Sequence, residues 1–469
     1  MTADSARIAV VGGGLAGLAA AVTLTEAGEK VELFEARRRA GGRASSWVDP
    51  SSGEAIDFCQ HVGMACCTNF ADFCRRTGLS DSFRRAGVLH FFGPDGQRYE
   101  LRATSGLPAP LHLLPSLMKL GYLTRRERLS VIAAVGRLAR LRDGLDDQSI
   151  GQWLREQRQT PQAVERFWAP VLLSALGETL DKASLKYARK VYVDGFLANR
   201  DSYQVDVPQV PLSELFGERV PDWLRERGAM INTGIPIRSI RRTGAGRYEL
   251  DLGDDVRREA ARVVVALPWR KASDVLAPVA AEWPAVRQWR SMQGSPISGV
   301  HLWFDRRLTE LPHAVLVGTL AQWMFQPALA TSTSAQNGEH YYQVVVSASY
   351  DLEAMDKAAA VEQIVRELTT AFPQAREAKL LRHRIVTERE AVFSARPGLD
   401  ALRPAQKSSL AGLFVAGDWT STGWPGTMES AVRSGYAAAE ELLGDLGRPR
   451  RFLAADLPMA WLSRRLFGL

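Results

Sequence analysis

Four clusters in this chain combine residue types and spacings that could do chemistry. The first is Gly12, Gly14 and Gly17, a G-x-G-x-x-G, with Glu35 downstream. The first glycine allows a tight turn, the second lets backbone approach a diphosphate, and the third lets helix pack on strand. Leu15 and Ala16 fall in the first helical turn, where free N–H groups and the helix dipole favour an anion. Glu35, followed by Ala36 and Arg37, stands where a carboxylate can accept hydrogen bonds from a ribose hydroxyl. The second cluster is Gly41-Gly42-Arg43. Its glycines permit another close backbone approach, and its arginine brings a fixed charge for a phosphate. The third is Asp57, Gln60 and His61, just beyond that loop. A histidine there could move a proton, with Asp57 orienting or charging it. The fourth is Gly417-Asp418, followed by Gly426-Thr427-Met428. It puts a carboxylate at a strand end and opens a helix whose positive end could face an electron-rich ring.

The elements that must hold these clusters can be read from the hydrophobic pattern. Ile8–Val11 is a short β-branched run, as in a buried parallel strand. An Ala-rich helix follows to about Ala27, and Gly28 suits its C-terminal stop. Val31–Phe34 is the second strand. Val263–Ala266 and Leu413–Ala416 repeat the buried-strand pattern far downstream. The expected class is therefore α/β: a discontinuous Rossmann-type dinucleotide domain with an interleaved α+β substrate domain. The expected boundaries are 1–75, 206–280 and 405–446 for the first, and 76–205 and 281–404 for the second. Residues 447–469 form a C-terminal tail. Within the second domain, 125–142 and 161–176 read as helices in a mostly helical stretch. Residues 295–305 and 340–351 read as strands of a sheet flooring a cavity, and 353–371 as a helix.

The 469-residue chain is 46% hydrophobic and 24% charged, ordinary for a globular protein with a large core. Its net charge of +7 suits an anionic partner. No basic block carries the interleaved aromatics of a nucleic-acid platform, so a membrane surface is expected rather than nucleic acid. No apolar stretch is long enough to span a bilayer, and MTADSARIAVV lacks the pattern of a secretory leader. A cytoplasmic enzyme, peripheral on the inner face of the membrane, is the expectation. The apolar 107–124 stretch, the basic helix after it and the amphipathic tail (Leu457, Trp461, Leu462, Leu466, Phe467 with Arg464 and Arg465) are its candidate contacts. Cys59, Cys66, Cys67 and Cys74 lie in one segment with His61 but make no paired C-x-x-C, and no metal is expected.

Gly41-Gly42-Arg43-Ala44-Ser45 after the acidic strand end resembles the G-G-R-x-S motif of the FAD-containing amine oxidase and phytoene desaturase superfamily. That resemblance implies FAD, and implies a backbone contact of Ile237 with its adenine half. Across nearly its whole length the chain resembles the squalene-associated flavoproteins, the hydroxysqualene dehydroxylases. VVGGGLAGLAAA, FEARRRAGGRASS, LPAPLHLLP, FWAPVLLSAL, SPISGVHLWFD and GLFVAGDWTSTGWPGTMESAVRSG carry the resemblance, with Asp57-x-x-Gln60-His61. Phe58-Cys59 departs from the Asn-Gly of the family pattern. The resemblance implies conversion of hydroxysqualene to squalene: hydride from reduced flavin N5, a protonated leaving hydroxyl, and an apolar shield for the allylic cation. His61 is the expected proton donor, with Asp57 its helper. Glu388, Arg389 and Glu390 are alternatives that more simply form a solvated face. No second G-x-G-x-x-G marks a nicotinamide site, so the electron donor is not identified. Three other readings stay open. One is a polyene desaturase, one an amine oxidase, for whose flavin-flanking aromatic pair Trp419 and Trp424 could be mistaken, and one a non-catalytic isoprenoid-binding flavoprotein.

Overall fold

Strand Ile8–Val11 is the middle of a five-stranded parallel sheet. Across the sheet the order is Met230–Thr233, Val31–Glu35, Ile8–Val11, Val263–Val265 and Leu413–Val415. All four pairings are parallel. The three central strands are buried throughout, so they read as continuous apolar runs rather than alternating ones. The computed structural model describes residues 7–50, 52–244, 246–327 and 338–468. Residues 1–6, on which the leader reading partly rests, and Leu469 lie outside the described residues.

Helix Leu15–Glu26 packs against the long helix Met428–Asp445, and Gly435 sets how close they come. A Cβ at Gly435 would stand 2.3 Å from the Ala16 carbonyl oxygen and 2.9 Å from Ala19 Cβ. The second helix also carries a buried carboxylate, Glu429, that caps another element. It accepts hydrogen bonds from the backbone N–H groups of Asn69 (3.2 Å) and Phe70 (2.8 Å), in the first turn of helix Thr68–Arg76. Arg433 Nε donates to the same carboxylate at 2.5 Å, so the buried charge is answered.

The second sheet has seven strands in the order Leu380–Phe393, Gly294–Phe304, His340–Ser347, Trp323–Phe325, His313–Leu316, Leu89–Phe92 and Arg98–Leu101. The last two correct the expectation that 76–204 is mostly helical. They form a hairpin about the Gly93-Pro94-Asp95-Gly96 turn and join the sheet through the parallel pairing of Leu89–Phe92 with His313–Leu316. Leu380–Phe393 is a further strand that the pattern did not suggest. It is a half-exposed edge, and its charged residues mask the apolar alternation. The expected 353–371 helix is two helices, Tyr350–Ala354 and Lys357–Ala371. Asp356 interrupts them because its side chain caps the second, accepting from Ala358 and Ala359 N–H.

Helices follow the hairpin in the chain. Arg125–Arg140 begins at a complete capping box between Thr124 and Glu127 and stops short of the expected 142. The expected 161–176 helix is broken by a π-helical turn at Val164–Trp168, and another, Val193–Leu197, follows helix Leu185–Tyr192. The tail is extended to 460 and helical only over Trp461–Phe467. It is tied to the body by Ser463 Oγ on the Leu197 carbonyl (2.6 Å) and by buried Phe467. No helix among the described residues is long and apolar enough to cross a membrane. Gly435→Ala should force the two nucleotide-side helices apart and cost roughly 1–3 kcal/mol. A fall of several degrees in the apparent melting midpoint would register it.

Candidate functional site

The glycine-rich turn lies where the first parallel strand ends, and its shape depends on missing side chains. Gly12 adopts φ +108°, and a Cβ there would stand 2.4 Å from the Ala266 carbonyl oxygen. A Cβ on Gly17 would stand 1.9 Å from the Gly12 carbonyl oxygen, so the helix seats directly on the turn. Helix Leu15–Glu26 has no side-chain cap and no acid in its first turn, which leaves the N–H groups of Leu15, Ala16 and Gly17 free of any capping side chain. The second glycine loop lies against the first. Gly41 N–H donates to the Gly13 carbonyl at 2.8 Å, and a Cβ on Gly42 would meet Gly14 Cα at 3.0 Å. Two backbones thus form one cradle, as a wrapped diphosphate requires.

Glu35 is buried at the end of its strand. One carboxylate oxygen accepts from Gly13 N–H at 2.7 Å and the other from Arg37 N–H at 2.8 Å. Each oxygen keeps a lone pair for a hydroxyl. Arg37 is held in turn, donating from Nη1 to the Gly42 carbonyl at 3.1 Å. Gly234 and Ile235 donate backbone N–H groups to the carbonyls of Arg37 and Glu35, so the 234–237 segment, with buried Ile237, passes beside Glu35 and Ala36.

Arg43 differs from the expectation of a free phosphate-binding charge. Its guanidinium is paired to Asp418 and donates to the Ala391 carbonyl at 2.7 Å. Burial pulls its pKa down, but Asp418 and, more weakly, Glu388 outweigh this, and it sits above the ordinary arginine value. The pair joins the second glycine loop to the strand end at Gly417, whose N–H donates to Ser434 Oγ at 2.8 Å. Gly426 packs on Val392, where a Cβ would stand 3.1 Å from the valine Cβ. Thr427 caps helix Met428–Asp445 by accepting from Ser430 N–H.

The 57–61 segment is clamped from several sides. Asp57 accepts from Ser46 Oγ (2.6 Å) and Leu212 N–H (2.9 Å), and its backbone carbonyl accepts from Gln343 Nε2 (3.0 Å). Burial lifts its carboxyl to about 6, against the lowering effect of these two hydrogen bonds. The expected contact with His61 is not made. Asp57 Oδ1 accepts from both Ser46 and Leu212, and the His61 ring turns to the Cys59 carbonyl, with Nδ1 at 2.8 Å. Burial, with the charge of Arg43, holds His61 below the usual histidine value. Val62 and Met64, next along the chain, join an apolar cluster with Phe167, Phe196 and Trp323. Gln60 is buried and lines a small cavity with Ile56, Asp57, Tyr341 and Gln343.

Several residues that build this site escaped the sequence reading. Gly299 lets the second sheet touch the segment, since a Cβ there would stand 2.5 Å from the Phe58 carbonyl oxygen. His301 and Gln343 face the same side, with His301 Nδ1 2.8 Å from the Tyr341 hydroxyl. Their signal was present as polar residues inside the apolar strands GVHLWF and YYQVVV. Other candidates fall away from the site. Glu390 pairs with Arg270 (2.6 Å) and Arg389 with Glu353 (3.3 Å) on the exposed edge strand. Trp419 packs edge-on against Trp289, while Trp424 lies under the cations of Lys190 and Arg433, so the two are not partners. The four cysteines are free thiols, and burial pushes Cys59 up to about 12.

A raised carboxyl pKa weakens the fold as pH rises, because the folded chain must release a proton it binds more tightly than the unfolded chain does. For Asp57 the loss runs from about pH 4 to about pH 6 and reaches up to about 3 kcal/mol at neutrality. Asp57→Asn keeps an oxygen for Ser46 and Leu212 and escapes the loss. Denaturant titrations should find it as stable as the natural chain or more so at pH 7, with the advantage gone near pH 4.

A family model for flavin containing amine oxidoreductases matches residues 15–443. The chain is 25% identical to a probable zeta-carotene desaturase of Synechococcus elongatus, over 93% of this chain and 98% of that protein. It is 27% identical to a hydroxysqualene dehydroxylase of Sinorhizobium fredii, over 94% and 99%. Cyclohexylamine oxidase from Brevibacterium oxydans superposes with a TM-score of 0.70 at 17% identity, covering 95% of this chain and 100% of that one, which shows a shared fold. The double glycine cradle, the buried ribose-side carboxylate and the positive helix end at Thr427 fit FAD, so the chain belongs to the flavin containing amine oxidoreductase family, as an FAD-dependent oxidoreductase with an interleaved substrate domain.

Proposed function

We propose that this enzyme removes the hydroxyl of an allylic isoprenoid alcohol, hydroxysqualene, reductively to give squalene. His61 carries the reading: a half-buried imidazole on a segment that runs from the FAD-side loop into an apolar wall. Similarity to hydroxysqualene dehydroxylases supports it. FAD, when bound and reduced, supplies a hydride. His61 holds its Nδ1 proton on the Cys59 carbonyl, which leaves Nε2 to carry the second proton and deliver it to the departing oxygen. The C–O bond breaks as the C–H bond forms, and the hydroxyl leaves as water. Val62, Met64, Phe167, Phe196 and Trp323 keep water from the cation that develops on the allylic carbon. A separate two-electron donor must restore the reduced flavin after each turnover. Such a substrate partitions into bilayers, so the enzyme reaches it by peripheral contact at the cytoplasmic face of the membrane.

Similarity to carotene desaturases favours a second reading, in which hydride leaves a polyene for oxidised flavin. A histidine held neutral by burial suits the base that reaction needs. Amine oxidation draws no support from Trp419 and Trp424, which do not face each other.

Anaerobically reduced holoenzyme mixed with hydroxysqualene should re-oxidise its flavin and release squalene. Flavin that stays reduced would sink the reading and pass the case to desaturation, or to a non-catalytic carrier if oxidised enzyme also fails on a polyene. His61→Gln should keep FAD and lose about 10²–10⁴ in turnover. The acid form of a histidine depressed below 6.5 disappears as pH rises, so kcat/KM should fall about tenfold per unit above that midpoint. A flat pH profile in the natural enzyme would remove His61 from the role.

A further inference from the structure

Helix Arg125–Arg140 turns one face to solvent. Arg126, Leu129, Ala133, Arg137 and Arg140 are exposed and follow one another at spacings of three and four, so they share a single stripe. Leu129 is 61% exposed, a large apolar side chain on the solvent face of the helix. The C-terminal helix Trp461–Phe467 extends this surface. Arg140 Nε donates to the Leu466 carbonyl at 3.0 Å, its guanidinium lies 5.6 Å from the Phe467 ring, and Arg142 donates to the Phe467 carbonyl at 2.7 Å. Trp461, 64% exposed, and Leu466, 38% exposed, stay outside with Arg464 and Arg465. At the other end, Arg128 holds the Met118 carbonyl, and Met118 is itself 40% exposed.

The arginines here meet backbone carbonyls or solvent rather than acids, as Arg464 does in donating to the Met459 carbonyl at 3.0 Å. Among the described residues, no carboxylate lies within 4 Å of Arg126, Arg137, Arg464 or Arg465. Arg85 and Arg257, exposed elsewhere, pair with Asp206 (2.8 Å) and Glu249 (2.5 Å), although other exposed arginines such as Arg258 and Arg287 also lack a carboxylate partner among the described residues. Glu127, the acid on this helix, is committed to its capping box and to Thr160. A surface that holds guanidinium groups without acidic partners beside large exposed apolar side chains complements a layer with anionic heads and apolar tails.

We propose that this face, made by helix Arg125–Arg140 and the C-terminal helix, docks the enzyme on anionic phospholipid. It specifies the surface of the peripheral contact named above, and it holds whichever isoprenoid reaction the enzyme performs. Leu129, Leu466 and Trp461 would enter the headgroup boundary while the arginines meet phosphates.

The test is flotation of FAD-loaded enzyme with phosphatidylcholine vesicles, with and without a phosphatidylglycerol fraction. Binding should need the anionic lipid and weaken with salt. Each arginine near such a surface is worth about fivefold in partitioning, so R126E/R137E should lose at least about tenfold. Arg257→Glu, on a distant hairpin, should bind like the natural enzyme. W461S/L129S should weaken binding even at high salt, where the apolar part remains. Equal FAD content and melting midpoint would show that each variant is folded, and turnover on detergent-dispersed substrate reports the reaction separately. Undiminished vesicle binding by R126E/R137E would overturn the proposal. So would equal binding to uncharged vesicles, equal affinity for single-stranded DNA, or a dimer in solution that R126E/R137E disperses.

Discussion

The FAD end of this molecule depends on backbone touching backbone. Gly12, Gly17 and Gly42 each bring main chain to a distance that a side chain would forbid. That contact exists because two loops, one after the first strand and one after the second, leave adjacent strands on the same edge of a parallel sheet. Ligands of open α/β sheets collect at that edge, where strand ends and helix N-termini converge. Gly435 extends the same economy one layer out, letting helix Met428–Asp445 lie against helix Leu15–Glu26.

Charge is then used to fasten pieces that are far apart in the chain. Arg43 and Asp418 are 375 residues apart and tie the second glycine loop to the last strand of the sheet. Glu429 ties the last long helix to helix Thr68–Arg76 and, through Arg433 and Asp456, to the tail. A buried pair of this kind stabilises little in net terms, but removing one partner strands the other at a cost of several kcal/mol. Such pairs therefore specify which segments meet more than they add to stability.

The 57–61 segment shows one environment acting on two groups in opposite senses. Burial disfavours charge, so it lifts the Asp57 carboxyl to about 6 and depresses His61. Both groups move toward neutrality, and both are held by hydrogen bonds to parts of the chain other than each other. A permanently charged group would not sit beside the apolar side chains that follow this segment, whereas two neutral ones can.

The sequence by itself determined the α/β class, the glycine-rich turn after the first strand and the place of Glu35 at the end of the second, because these rest on local rules. Glycine spacing, a β-branched run and a helix stop act over a few residues and survive without knowledge of the rest of the chain. It also carried the strands at 263–265 and 413–415, since strands buried on both faces are apolar throughout. The tertiary structure alone decided what depends on contacts across long separations. Arg43 met Asp418, Asp57 turned to Ser46 and Leu212 rather than to His61, and Gly299 let the second sheet reach Phe58. The hairpin at 89–101 and the edge strand 380–393 were likewise settled by the sheet they join. Arg98–Leu101 and Leu380–Phe393 are half-exposed, and a half-exposed strand takes its conformation from its neighbours more than from its own pattern.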